Sequence, residues 1–174
     1  LQAVLEARQP IIDHLDGYLL RLGAYREALD DAKLADVAER TKAVGSAVVP
    51  TMAIWNNVNG NSNLSGLRNY PELKFMPARF IDEWSGLVKK TFQPDLKTPE
   101  PVPRLQQRIV KALHDHGVTI LFGTDSPHVF NVPGFSIHRE MRLMREAGLT
   151  PFEILKSATK TPGDHFRDKD RFGT

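Results

Sequence analysis

The 174-residue chain contains no cysteine. Disulfides, thiolate metal sites and cysteine nucleophiles are thereby excluded. No apolar run approaches the ~20 residues that a bilayer-spanning helix needs, so nothing here points to a membrane. The opening Leu1-Gln2-Ala3-Val4-Leu5-Glu6-Ala7-Arg8 lacks the pattern of a signal peptide, and the compartment stays open. Neither sign of charge dominates, with 23 Lys and Arg against 21 Asp and Glu. The formal net charge is +2 with no dense basic run, so no nucleic-acid partner is expected. There is no Gly-rich phosphate loop, no Gly-x-Ser-x-Gly elbow, no dinucleotide fingerprint, no internal repeat and no low-complexity segment. What is present is ordinary for a globular chain: 41% apolar and 25% charged residues, enough for one compact domain with a core.

The most informative stretch is Val118-Thr119-Ile120-Leu121-Phe122-Gly123-Thr124-Asp125-Ser126. A short β-branched and apolar run reads as a buried strand and delivers Asp125 to its C-terminal mouth, the edge where parallel α/β folds bind ligands. A carboxylate half-buried there calls for a metal, a cation or several hydrogen bonds. The second stretch is Pro10-Ile11-Ile12-Asp13-His14-Leu15-Asp16-Gly17, in which His14 follows another apolar strand. One imidazole and one carboxylate at strand ends can supply two ligands of a hydrolytic metal site. Three are usual for a catalytic zinc, so these two are not a whole site.

Along the chain, residues 1–8 read as the tail of a helix, as if the chain starts partway through a larger unit, and 9–14 as a strand. A short helical turn is expected within 15–32. Leu34, Val37 and Ala38 share one face of a helix over 32–43, which Gly45 closes. Ser46-Ala47-Val48-Val49-Pro50-Thr51-Met52 reads as a strand buried on both faces. A long excursion follows, with Asn56 to Asn63 as a polar, turn-forming loop. Residues 77–91 read as a helix with Phe80, Trp84, Leu87 and Val88 on one side. Pro94, Pro99, Pro101 and Pro103 mark a stiff linker. Val102, Leu105, Ile109 and Leu113 define an amphipathic helix ending at Gly117. Ile137, Met141 and Met144 mark another helix, with Ser136 as its N-cap. Thr150 and Pro151 open the last. Strands alternating with helices predict a parallel sheet. Three strands cannot close a barrel, so an open edge is expected, and with it either assembly onto something else or a place within a longer polypeptide.

Each candidate site residue has a plainer alternative. Asp125 is a metal ligand and general base, or a turn aspartate satisfied by backbone N–H groups. His14 is a ligand, or a hydrogen-bonded structural histidine, and Asp13 or Asp16 could orient its ring. His128 and His138, near the same mouth, could contact substrate, and His128 could steady a developing oxyanion. Thr51 ends the middle strand and could hydrogen-bond substrate or cap a turn. His114 and His116 lie about 200° apart on a helix and cannot share an ion. His165 reads as structural.

These stretches together resemble the amidohydrolase superfamily, in its imidazolonepropionase-like branch. The resemblance rests on Ile11-Ile12-Asp13-His14, Val48-Val49-Pro50-Thr51, Gly117 through Asp125, and the tail from Gly134-Phe135-Ser136-Ile137-His138-Arg139-Glu140 through Glu146-Ala147-Gly148-Leu149-Thr150-Pro151 to Ala158-Thr159. It implies one domain over 1–174. This would be the C-terminal portion of a distorted (β/α)8 TIM-type barrel, strands six to eight with their helices and a long insertion at about 53–100 between strand seven and its helix. By resemblance, His14 and Asp125 bind metal and Asp125 moves the proton. Thr51, His128 and His138 fall to the substrate. The cofactor is zinc, as one or two divalent ions. The reaction is hydrolysis of a C–N bond in a cyclic amide, small amide or peptide-like small molecule by metal-activated water. The family's first-strand His-x-His, fourth-strand bridging residue, fifth-strand histidine and β-sandwich have no counterpart here. Arg167 stands where glycine is common, and Phe172-Gly173-Thr174 resembles a connection back to the sandwich. The partner implied is the remainder of the barrel or a second subunit, a homo-oligomer included, and the isolated chain would be inactive. Two other readings stay open: an inert fragment or assembly module, and an unrelated α/β binding domain. In the binding domain His14 and Asp125 would lie far apart or on opposite sheet edges.

Overall fold

The apolar runs expected to be strands do align in parallel, although the paired stretches are short. The structure, a computed structural model, describes residues 1–60, 64–91 and 98–166. Strand β1 (Ile11–Asp13) pairs with β2 (Ala47–Val49) in the register Ile11 to Ala47, Ile12 to Val48 and Asp13 to Val49. The third run is reduced to one parallel bridge, Ile120 against Val48. Its bonds are Val48 N–H to the Thr119 carbonyl and Leu121 N–H to the Val48 carbonyl, each 2.9 Å. The strand expected over 118–123 therefore makes a ladder at its centre only. Beyond it the chain bends away, and the Phe122 N–H goes to the Ser157 carbonyl instead.

Ten α-helices occur among the described residues. Helix α1 (Gln2–Glu6) leads into β1, and α2 (Asp16–Arg21) and α3 (Asp31–Val44) connect it to β2. Asp30 caps α3 through the N–H groups of Ala32 and Lys33, and Gly45 ends it at φ 77°, a left-handed cap that glycine tolerates. After β2 the excursion is largely helical: α4 (Met52–Trp55), a π-helical turn (Asn56–Gly60), α5 (Leu64–Arg68), a 3-10 turn (Pro71–Phe75) and α6 (Ala78–Thr91). The loop expected from Asn56 is thus wound helix as far as Gly60, while Asn61 to Asn63 and Pro94 lie outside the described residues. Helix α7 (Val102–Asp115) begins at the supposed proline linker. Pro101 is its N-cap and Pro103 sits in its first turn, where a missing N–H costs nothing. Helices α8 (Ser136–Glu146), α9 (Pro151–Ala158) and α10 (Lys160–His165) follow. Thr150 and Glu153 form a capping box at α9. Ser136 is not the N-cap of α8; Phe135 is, and the Ser136 hydroxyl turns inward to Thr124.

Two apolar clusters result. The first joins Leu15, Tyr18, Leu34, Val37, Val48, Leu105, Ile109, Leu113, Ile120 and Met144, so α2, α3, α7 and α8 close on the sheet. Within it Tyr18 is fully buried and its hydroxyl meets Thr41 Oγ1 at 3.0 Å. Thr41 spends its own proton on the Val37 carbonyl, so Tyr18 is the donor. Burial pushes the phenol pKa up to about 12, with the Thr41 contact opposing. The second cluster joins Ile54, Leu67, Leu73, Trp84 and Val88 of the excursion to Val129, Phe130 and Val132. The excursion therefore packs on the loop that follows the third run, and this brings its first turns beside the sheet's C-terminal edge.

Candidate functional site

Parallel pairing puts the C-terminal ends of all three runs on one edge of the sheet. His14 stands one residue past β1, Thr51 two past β2 and Asp125 five past the Ile120 bridge. All three adopt left-handed backbone: φ 69° at His14, 47° at Thr51 and 55° at Asp125. Non-glycine residues rarely do so, and a β-branched threonine there is a genuine outlier. Such strain persists only where neighbours hold it, and it collects at functional sites.

The holding contacts are visible. The His14 N–H extends the sheet by bonding the Val49 carbonyl at 2.9 Å. The His14 ring is half-buried, its Nδ1 lies 2.6 Å from Thr51 Oγ1, and the edge of Trp55 meets it at 5.9 Å. Neither Asp13 nor Asp16 orients the imidazole; Thr51 does. Asp13 is exposed, and Asp16 faces Tyr25, whose phenol pKa is raised by burial first and by that carboxylate second. Thr51 is only 3% exposed. Directly after it, the N–H groups of Met52 and Ala53 donate to the two carboxylate oxygens of Glu140 at 2.9 and 2.7 Å. Glu140 is fully buried on α8. Burial drives its pKa up to about 7 against the two N–H bonds, which favour the anion.

Asp125 is exposed, not half-buried as its strand context suggested. Among the described residues its carboxylate makes no hydrogen bond or ion pair, so the reading of a turn aspartate satisfied by backbone N–H groups does not hold. Gly123 lets this segment lie against β2, because a β-carbon there would fall 2.5 Å from Val49 Cγ1. The loop that follows is anchored from below. Asn131 donates to the Thr124 carbonyl at 2.7 Å, and Asn57 donates to the Val129 carbonyl at 2.8 Å and to Asn131 at 3.2 Å. Tyr70 donates to Asn57 at 3.3 Å, and the Arg139 guanidinium covers the Tyr70 ring at 3.7 Å while pairing with buried Glu72. His128 and His138 are both exposed, His128 on the tight turn to Asn131 and His138 on the first turn of α8. His114 and His116 part company as expected, to Glu153 at 3.2 Å and to the Ala112 carbonyl at 2.8 Å. His165 packs edge-on against Phe166.

Three contributors escaped the sequence reading: Glu140, Asn57 and Trp55. The Trp55 indole N–H is buried beside His14 and has no acceptor among the described residues. The donor set fits a cation in part. Thr51 Oγ1 has two neighbours, the Pro50 carbonyl at 2.9 Å and His14 Nδ1 at 2.6 Å, and among the described residues His14 Nε2 makes no hydrogen bond. With the free Asp125 carboxylate that makes two available ligands, and among the described residues no group of three or more suitable side chains assembles.

Comparison with known proteins fits this geometry. The chain's fold is similar to that of a bottromycin amidohydrolase at TM-score 0.64 and 25% identity, covering 95% of this chain and 38% of that one. It is also similar in fold to a Xaa-Pro dipeptidase with bound methionine in the active site, at TM-score 0.57 and 17% identity, covering 99% of this chain and 32% of that one. The chain thus spans well under half the length of either. Among curated proteins nothing matches it. The model of the amidohydrolase family matches residues 25–174, a span that includes Thr51 and Asp125 and starts after His14. With most of its length matched, the chain belongs to the amidohydrolase family.

Proposed function

We propose that this chain supplies part of the active site of a metal-dependent amidohydrolase, which hydrolyses a C–N bond in a cyclic amide, small amide or peptide-like substrate. The sheet would be strands six to eight of a (β/α)8 barrel, the rest coming from a longer polypeptide or a second subunit. The observation that carries this reading is the shared edge at which His14, Thr51 and Asp125 all take left-handed backbone. His14 through Nε2 and Asp125 through its carboxylate would hold the cation, zinc being the first choice for such nitrogen and oxygen donors. β1 and the Ile120 run are two strand spacings apart, about 10 Å, a gap that two converging side chains and an ion can bridge. When bound, the cation would act as a Lewis acid on the amide carbonyl and acidify a water.

Asp125 is exposed and its carboxylate has no partner among the described residues, so it can take the proton of the attacking water and return it to the leaving nitrogen. His128 and His138 would meet the substrate from the rim, and Thr51 would border it from the end of β2. Assay of bound zinc and amide hydrolysis in the complete polypeptide tests the reading. Asp125→Asn should retain the fold and lose at least a hundredfold in turnover; full activity in that variant would remove Asp125 from its role. A second reading concerns the isolated 174 residues. With two free ligands and no group of three among the described residues, the chain on its own would be inert and would serve as an assembly module. Turnover by the isolated chain with stoichiometric zinc would refute that.

A further inference from the structure

We infer that Thr51 is a positioning residue whose hydroxyl fixes the His14 proton on Nδ1 and so keeps the Nε2 lone pair facing outward for a cation. A threonine hydroxyl has one proton and two lone pairs. The Pro50 carbonyl, which can only accept, lies 2.9 Å from Thr51 Oγ1 and takes its proton in this arrangement. The 2.6 Å contact with His14 Nδ1 can then be made only by an N–H on that nitrogen. A neutral imidazole carries one N–H, so Nε2 is the acceptor.

The rest of the site enforces this arrangement. The threonine whose side chain meets His14 has left-handed backbone, at φ 47° and ψ 41°. That conformation is unfavourable for a β-branched residue. It is pinned from the far side by Glu140, which takes the two N–H groups that follow Thr51. The Trp55 ring edge limits rotation of the imidazole. A path of contacts thus runs from a buried carboxylate on α8, through the first turn of α4, to the proton on a ring nitrogen at the end of β1. Partners that fix the tautomer of a metal-binding histidine typically change metal affinity ten- to a hundredfold when removed.

The consequence for metal binding rests on His14 being a ligand, whereas the tautomer does not, and the test separates the two. Long-range proton–nitrogen NMR correlations of the histidine rings are recorded on the metal-free complete polypeptide at about pH 8, where imidazole is neutral. The His14 signal is assigned by its loss in His14→Gln. The expected result is a protonated Nδ1 and an unprotonated Nε2 in the wild type and in Thr51→Ser, which keeps the hydroxyl. In Thr51→Val the proton should redistribute to Nε2, and zinc affinity should fall ten- to a hundredfold. An Nε2-protonated His14 in the wild type would overturn the inference, and so would a Thr51→Val protein with tautomer unchanged. The wild-type spectrum decides the first of these even if Thr51→Val fails to fold. If Thr51→Val moves the proton but His14→Gln leaves zinc affinity unchanged, the tautomer lock stands and the reading of His14 as a ligand falls.

Discussion

Glu140 on α8 accepts the backbone N–H of Ala53 at 2.7 Å across 87 residues of sequence. With the parallel bond from Met52, it ties the last helices of the chain to the turn that carries Thr51. Replacing Glu140 by alanine leaves two buried N–H groups without acceptors and opens a void. The expected loss is about 2–5 kcal/mol of stability, read by urea unfolding at about pH 5. Released from its anchor, Thr51 should relax from the left-handed region. Zinc affinity of the complete polypeptide should fall with it, by as much as in Thr51→Val. Unchanged stability would show that α4 is held by other contacts.

Glu140 also predicts a pH dependence. Burial raises its pKa from the ordinary 4.5 to about 7, against the two backbone bonds. The folded state therefore binds this proton more tightly than the unfolded chain does. The stability this contributes is complete below about pH 4.5 and is lost as pH rises through about 7, a change on the order of 3 kcal/mol. Other groups titrate in the same window, so the informative quantity is the difference between wild type and Glu140→Gln. That difference should shrink between pH 5 and pH 8 in denaturant unfolding. A difference independent of pH would show that Glu140 titrates at its ordinary value.

Gly123 and Val49 form a close pair between the third run and β2. A methyl group at Gly123 would stand 2.5 Å from Val49 Cγ1, well inside the roughly 3.5–4.0 Å at which carbons rest. The β-branched valine cannot swing its methyl away freely. Gly123→Ala should cost about 1–3 kcal/mol and displace Asp125 two residues on. Adding Val49→Ala removes the obstruction, so the double variant should be more stable than the sum of the singles by about 1 kcal/mol or more. Simple additivity would mean the segment moves aside at no cost.

Much of this frame was legible in the sequence, for local reasons. Apolar β-branched runs ended at His14, Thr51 and Asp125, and all three stand at the same edge of the sheet. Gly45, Thr150 and Pro151 marked helix ends through their own backbone chemistry. The face formed by Leu105, Ile109 and Leu113 is buried as its spacing required. What stayed hidden depends on partners far along the chain. Glu140 lies among charged residues and reads as a solvated helix position; the N–H groups of Met52 and Ala53, close to ninety residues earlier, meet its buried carboxylate. Asn57 reads as a turn residue, yet it is buried because Val129, Asn131 and Tyr70 converge on it. Ser136 looks like a cap until Thr124 supplies another acceptor. Left-handed backbone at His14 and Thr51 leaves no trace in residue type, since neither is glycine and one is β-branched.

His14 and Asp125 either hold one cation between them or they do not, and anomalous scattering at the zinc edge from crystals of the complete polypeptide decides it. The predicted result is a peak at about 2.0–2.2 Å from both His14 Nε2 and an Asp125 carboxylate oxygen. An active protein whose zinc peak lies out of reach of both side chains, or that shows none, would contradict it.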